Sequence, residues 1–319
     1  MTAGITRRRF LAAIGGAAAM PRSFAQAARR PKLVGLLIPG RGAFLAPALA
    51  KLGWVEGRDV RYEIRRVAAE TSAGDLDAAA HELLQARPDV LVAAGAPSVL
   101  ALHRATRSIP IVCGGIHDPV DEGLARTIQQ PGMNVTGLSY GLRESAVLQL
   151  GTLRALVPGL RRLVFVSAES DSSTVAPAHA AAAEQFALQA QMRRASEPDS
   201  VEKILATLQA TDAAWLAQPP AGASIERIAG EAMRRRIAVH ARNDEQVRAG
   251  LLLSYWIVHS DPVARIAALV DKVLRGADPG TIPFELPDKT QFAFNRATAR
   301  AIGVRVPEDV LMRATEVFG

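Results

Sequence analysis

The sequence predicts an α/β fold of two Rossmann-like lobes with parallel sheets, and three observations carry that prediction. Short runs rich in Val, Ile and Leu recur along the chain and are apolar throughout, as strands buried on both faces are. Between them lie Ala-, Leu- and Arg-rich stretches in which apolar residues return at helical spacing. The strand–helix rhythm runs twice, over residues 31–140 and again from Arg162, on either side of Gly137-Leu138-Ser139-Tyr140-Gly141. Such alternation implies parallel sheets, because each parallel neighbour needs a crossover and a helix supplies it.

Taken in order, strands are expected over residues 33–38, 90–94, 109–113, 163–167, 213–217, 237–240 and 251–254. Val60, Tyr62 and Ile64 alternate with charged neighbours, which marks a half-exposed strand nearer a sheet edge. Helices are expected over 74–86, 98–107, 143–156, 176–191, 200–210, 224–236 and 262–275. Cys113 is the sole cysteine, so no intramolecular disulfide can form, and inside an apolar strand its thiol behaves as a small hydrophobe. Stability must then come from packing, and 49% apolar residues are enough for two cores.

The first residues follow a different pattern. Thr6-Arg7-Arg8-Arg9-Phe10-Leu11 sets a cationic cluster before the apolar run 11–20, Pro21 breaks that run, and Ser23-Phe24-Ala25 offers small residues at signal-peptidase spacing. This is the order of a secretory signal over residues 1–25, cleaved near Ala25, and the paired arginines resemble the twin-arginine (Tat) type. A membrane anchor would need about 20 apolar residues, more than this run has. A basic arm for nucleic acid would not end in a hydrophobic stretch and a cleavage site. Arg7, Arg8, Arg9 and Arg22 hold four of the seven excess positive charges, which leaves +3 on the remainder. With the remaining cations spread among acids, no nucleic-acid footprint is expected, and the mature chain is expected to be periplasmic.

Several stretches resemble one known family, the substrate-binding proteins of ABC transporters that include tryptophan- and tyrosine-type binders. Leu52-Gly53-Trp54-Val55-Glu56-Gly57-Arg58-Asp59-Val60 is similar to its "LGYVEGxNV", and Val92-Ala93-Ala94-Gly95-Ala96-Pro97 to its strand-end "GTP" turn. His117-Asp118-Pro119-Val120 with Gly123-Leu124 resembles "GDPVxxGLV", and Pro131-Gly132-Met133-Asn134-Val135-Thr136-Gly137-Leu138-Ser139 resembles "PGGNVTGLS". Residues 283–287, 295–304 and 307–318 resemble "LPVEQP", "NLKTAKALGL" and "IPPSLLARADEVI". The resemblance covers the mature chain in one order. It implies a type I periplasmic-binding fold with three crossovers near 139–142, 254–258 and 287–290. The lobes would then hold 31–140 plus 257–288, and 141–256 plus 289–319. It also implies a small-molecule ligand, a membrane permease as partner and no catalysis.

Candidate binding residues follow from strand ends, because ligands sit beyond the carboxyl edges of open parallel sheets. Arg41, in Pro39-Gly40-Arg41-Gly42, can grip a carboxylate or stand as a solvated loop cation. Only ten residues separate Gly42 from Gly53, fewer than in the family, which reshapes the first binding loop. Gly95, Ala96, Pro97 and Ser98 end a strand and open a helix whose N-terminus suits an anionic group. Ser98 is equally a plain N-cap, and the family's Thr is Ala96 here. Asp118 before Pro119 reads as an N-cap with Pro at the first helical position, and His117 can face the ligand. Ser139 and Tyr140 lie at the first crossover. In the second half, Ser170 sits in a hydroxyl-rich strand end, Gln218 ends a strand before Pro219-Pro220, and Asp244 suits an ammonium. Ser254 and Tyr255 lie at the second crossover, where Tyr255 or Trp256 can stack on a flat ligand or pack the hinge.

The histidines show no zinc spacing, so neither metal nor cofactor is expected, and a monomer is the expected state. An enzyme is the main rival reading, since this architecture hosts many reactions, but the chain has no P-loop, G-x-G-x-x-G or H-E-x-x-H. A repressor effector domain would carry a helix-turn-helix where this chain carries a signal. A sensor subunit presenting ligand to a receptor fits as well as a transport component.

Overall fold

A computed structural model describes residues 30–39, 45–68, 71–168 and 175–319, and the expected signal lies outside them. The first sheet holds β1 (Lys32–Pro39), β2 (Val60–Val67), β3 (Val90–Ala93), β4 (Ile111–Ile116) and β5 (Val135–Ser139). They run parallel in the order β2-β1-β3-β4-β5. The connecting helices are α1 (Leu45–Lys51), α2 (Ala73–Gln85) and α3 (Ala96–Ala105). β2 stands at one edge, which is why its burial is mixed while β3 is buried at every residue. Cys113 is buried in β4, where burial pushes its thiol up to about 12.

The second sheet holds β6 (Arg162–Ser167), β7 (Gln189–Arg194), β8 (Asp212–Gln218), β9 (Ala238–His240), β10 (Leu253–Val258), β11 (Lys289–Asn295) and β12 (Glu316–Phe318). Its order is β12-β11-β10-β9-β8-β6-β7, parallel except between β10 and β11. Its part of the chain carries α4 (Leu142–Leu156), α5 (Val175–Gln185), α6 (Ser200–Leu205), α7 (Ile225–Arg235) and α8 (Asp244–Arg248). Beyond β10 come α9 (Pro262–Leu274), α10 (Arg296–Ile302) and α11 (Glu308–Arg313).

Each sheet is covered on both faces, which explains strands without a polar side. α1 and α9 cover one face of the first sheet, and α2 and α3 the other. In the second sheet, α4, α5, α10 and α11 pack on one face and α6, α7 and α8 on the other.

α9 records the return of the chain. It follows β10 of the second sheet, yet buries Ile266, Leu269, Val270 and Val273 against Leu36, Val92 and Val112 of the first. The chain passes between lobes three times: from β5 into α4, from β10 into α9, and from residue 287 into β11. β10 extends to Val258, two residues past 256, where the second lobe's first stretch was expected to end.

The three passages are stitched together. Ser139 N donates to Glu285 O at 2.9 Å, His259 Nε2 donates to Ser139 O at 2.7 Å, and Ser260 Oγ bonds Asp288 Oδ2 at 2.6 Å. Arg265 then pairs with both Glu285 and Asp288. The Ser260 hydroxyl and backbone N–H, with Arg265 adding its charge, hold the Asp288 carboxyl down at about 2.

Several expectations need correction, among them the helix expected over 200–210, which ends at Leu205. The helix expected over 176–191 stops at Gln185; Ala187 turns with φ of 54°, and residues 189–194 form β7. β7 pairs only with β6 and is exposed along nearly all its length, so its polar sequence shows no strand period. Asp118 does not cap a helix. Its Oδ1 accepts from Val120 N at 2.9 Å and Asp121 N at 3.1 Å, closing a turn that ends by Leu124.

Candidate functional site

The carboxyl ends of both sheets face one cavity of about 650 Å³, within the range of about 300–1,000 Å³ usual for small-molecule sites. From the first lobe, Ala96 and Pro97 line it at the start of α3, His117 and Glu122 beyond β4, and Tyr140 beyond β5. From the second lobe come Trp215, Ala217 and Gln218 of β8, Arg242, Asn243 and Asp244 after β9, and Trp256, Ile257 and Val258 of β10. Leu142 and Ser145 of α4 and Gln291 of β11 complete the wall.

Local backbone chemistry sets these groups in place. Gly95 caps α3 with φ of 80°, which only glycine adopts freely, so β3 turns at once into the helix and no side chain satisfies its first amides. Gly115 does similar work beneath Tyr140. A Cβ at that position would collide with the phenol, so its absence lets the ring lie over β4, with its centroid 5.7 Å from that of His117. Asn243 caps α8 by accepting from Gln246 N, and this places Asp244 on the cavity rim. Ser254 Oγ donates to Asp244 Oδ1 at 2.5 Å and fixes its direction.

Arg242 Nη1 donates to Gln218 Oε1 at 3.2 Å, and no carboxylate pairs with Arg242 among the described residues. One rim of the cavity therefore carries a cation and an anion from the same short loop, the pairing that suits a zwitterion.

The floor is aromatic. Trp215 is fully buried, stacked on His240 at 4.4 Å between centroids and set edge-on to Trp256 at 5.9 Å. β9 ends at His240, so Tyr255 N has no ladder partner beyond it, and His240 Nε2 accepts that N–H at 3.1 Å. The proton of the neutral ring then sits on Nδ1. Burial, reinforced by His179, pushes the imidazole down to about 3, which keeps it neutral at ordinary pH. On the other side of the strand residue, Gln149 Nε2 donates to Tyr255 O at 2.5 Å while Gln149 Oε1 accepts from His179 at 2.9 Å.

A second recess of about 370 Å³ adjoins the first and shares His117, Glu122 and Leu142 with it. Asp118, Asp121 and Arg143 line its rim, and Pro177, Ala178 and Ala181 of α5 form the facing wall. Arg143 reaches across from the start of α4 to Asp118 at 3.2 Å and Asp121 at 2.5 Å. Among the described residues, no group of three or more His, Cys, Asp or Glu side chains could hold a metal ion.

Of the sequence-nominated residues, Ala96, Pro97, His117, Tyr140, Gln218 and Asp244 come together around the larger cavity, and Asp118 lies in the recess. Five others stand back from both. Gly95 is a cap. Ser98 is buried as the third residue of α3, not its N-cap. Ser139 is buried, its Oγ bonded to His117 O and Gly141 N. Ser254 acts through Asp244. Tyr255 is buried in the core against Phe292 at 5.3 Å between rings, while its neighbour Trp256 faces the cavity. Arg41 and Ser170 lie outside the described residues. Trp215, Arg242 and Glu122 were not nominated. Trp215 had a signal, as the one large aromatic in an Ala-rich strand, whereas Arg242 and Glu122 look like ordinary surface charges until the lobes meet.

Against known proteins, residues 43–318 match the model of the ABC transporter substrate binding protein family. The chain belongs to this family. The family is one of solute-binding proteins rather than enzymes, and its members work outside the cytoplasm. No helix among the described residues is long and apolar enough to cross a membrane. A tyrosine-binding protein of Clostridioides difficile is 23% identical over 81% of this chain and 75% of its own length. A conserved domain protein from Vibrio cholerae superposes with a TM-score of 0.67 at 23% identity, covering 90% of this chain and 99% of that one. An ABC domain in complex with L-Trp from Streptococcus pneumoniae gives 0.67 at 20% identity, covering 90% and 100%. A ligand-free, open substrate-binding protein with adhesive properties from Clostridium difficile gives 0.66 at 20%, covering 90% and 99%. These likenesses establish for this substrate-binding protein the type I periplasmic-binding fold.

Proposed function

We propose that this chain is the extracytoplasmic solute-binding component of an ABC-type importer and that it takes an amino acid, or a related carboxylated or aromatic compound, between its lobes. The observation that carries this reading is the cavity of about 650 Å³ walled by strand ends of both sheets, with Arg242 and Asp244 on one rim and Trp215 and Trp256 beneath. Arg242 suits the carboxylate of such a ligand, Asp244 its ammonium, and Tyr140 and Trp256 its flat or apolar part. A relative that is a tyrosine-binding protein and a neighbour in complex with L-Trp support the same class. Residues 1–25 would direct export, and the loaded protein would then dock on a membrane permease.

A thermal-shift screen of the mature chain against amino acids, organic acids and aromatic acids tests this. A ligand at 100 times its Kd adds about 2.7 kcal/mol, which raises the melt by several degrees. No shift with any compound, together with turnover in a hydrolase panel, would sink the binding reading. Uptake of the hit, lost in cells lacking the chain, separates delivery to a permease from ligand presentation to a receptor.

A further inference from the structure

We infer that the smaller recess is the far end of the ligand site and receives a cationic group of the ligand, with Glu122 as its counter-charge. This rests on the cleft reading above and adds the charge of the ligand's distal end. Three observations carry it. The recess opens on the larger cavity through the shared residues His117, Glu122 and Leu142, so one ligand can reach from the Arg242–Asp244 rim into it. Glu122 stands at that junction with Oε1 buried and unpartnered, and no cation pairs with its carboxyl among the described residues. Arg143 is already engaged by Asp118 and Asp121 at 3.2 and 2.5 Å, which leaves Glu122 as the uncompensated charge.

The described side chains lining the two spaces supply Asp118, Asp121, Glu122 and Asp244 against Arg143 and Arg242. The ligand that balances them has a net positive charge. A half-buried carboxyl held by backbone hydrogen bonds at Asp118 and His117 but by no cation is costly, and the cost falls either by protonation or by an incoming cation. Burial first, then the nearby Asp118 and Asp121, pushes the Glu122 carboxyl up, as expected for a group whose counter-ion is absent. His117, Cys113 and Arg143 are the other titratable or charged groups around it. Tyr140 and His117 add ring faces that suit a cation passing between the two spaces. The chemical class is thus an amino acid or related small molecule ending in an amine or guanidinium.

Isothermal titration of the mature chain with L-arginine and L-citrulline, and with L-lysine and L-norleucine, tests the inference, since each pair differs in charge at nearly constant shape. The cationic member should bind at least about 10-fold more tightly, as removal of one partner from a desolvated charge pair does. Glu122→Gln should bring that ratio toward unity. The wild-type comparison needs no variant, so a folding defect in Glu122→Gln leaves it intact. If neutral aromatic amino acids bind and the cations bind no better, the cleft reading stands and this inference falls. A ratio that Glu122→Gln leaves unchanged also overturns it. If none of these compounds binds, this inference fails, while the cleft reading is decided by the wider thermal-shift screen.

Discussion

Tyr255 and Trp256 are neighbours in sequence with different environments. Tyr255 packs into the second-lobe core beside Phe292, and Trp256 faces the cavity. Tyr255→Ala should therefore lower unfolding stability by about 3 kcal/mol or more, the scale for deleting a buried ring. Trp256→Ala should cost less stability and instead weaken ligand binding by roughly 10-fold, the loss of one well-packed aromatic contact. Urea denaturation and calorimetry on both variants check this, and a reversal of the two effects would refute the placement. The sequence located aromatics at a crossover but not which one turns inward, because that depends on β11 packing beside β10. Asp244 was legible for a simpler reason, as an acid directly after a strand. Its tether to Ser254 was not, since ten residues and a strand pairing separate them.

The strands β1, β3, β6 and β8 were legible because a strand covered on both faces is apolar throughout, and helices on either side leave no other choice. β7 was not, because an exposed edge strand has no buried face to write into its sequence. β5 lies within the stretch 131–139 that resembles a family pattern, and β11 fills most of the gap between two others, 283–287 and 295–304. At the end of β9, the chain substitutes a side chain for a ladder partner, and this has a pH consequence. His240 ionises at about 3 in the folded chain against 6.5 when free of its surroundings, so the unfolded state binds more protons between those values. The stability it contributes is fully present above 6.5 and is lost as pH falls toward 3. His240→Gln, whose side-chain oxygen can still accept from Tyr255 N, should lower the melting temperature at pH 7 and flatten its decline in acid. Parallel melting curves for the two proteins across the acid range would count against the assignment.

For the whole molecule, two lobes with separate cores and three stitched passages form a cleft that can close by bending at the passages. The double rhythm announced the lobes. The cleft itself was not legible, because its wall joins positions as distant as Pro97, Gln218 and Val258, and only the sheet order brings them together. A chain with a single, buried cysteine needs no oxidising compartment to finish folding, which suits a pathway that moves folded proteins. Changing Arg7 and Arg8 together to Lys should leave uncleaved precursor in the cytoplasmic fraction by immunoblot. Undiminished export would remove the twin-arginine assignment.

The three tryptophans are divided between the lobes in a useful way. Trp215 and Trp256 meet at the cavity floor beside His240, while Trp54 is held in the first lobe, its indole N–H on Asp271 at 2.7 Å and Arg275 over its ring. The molecule consequently carries an optical reporter of its own cleft. With Trp54 replaced by Phe, the remaining indole emission would come only from the cavity floor, and occupancy could be followed without any label.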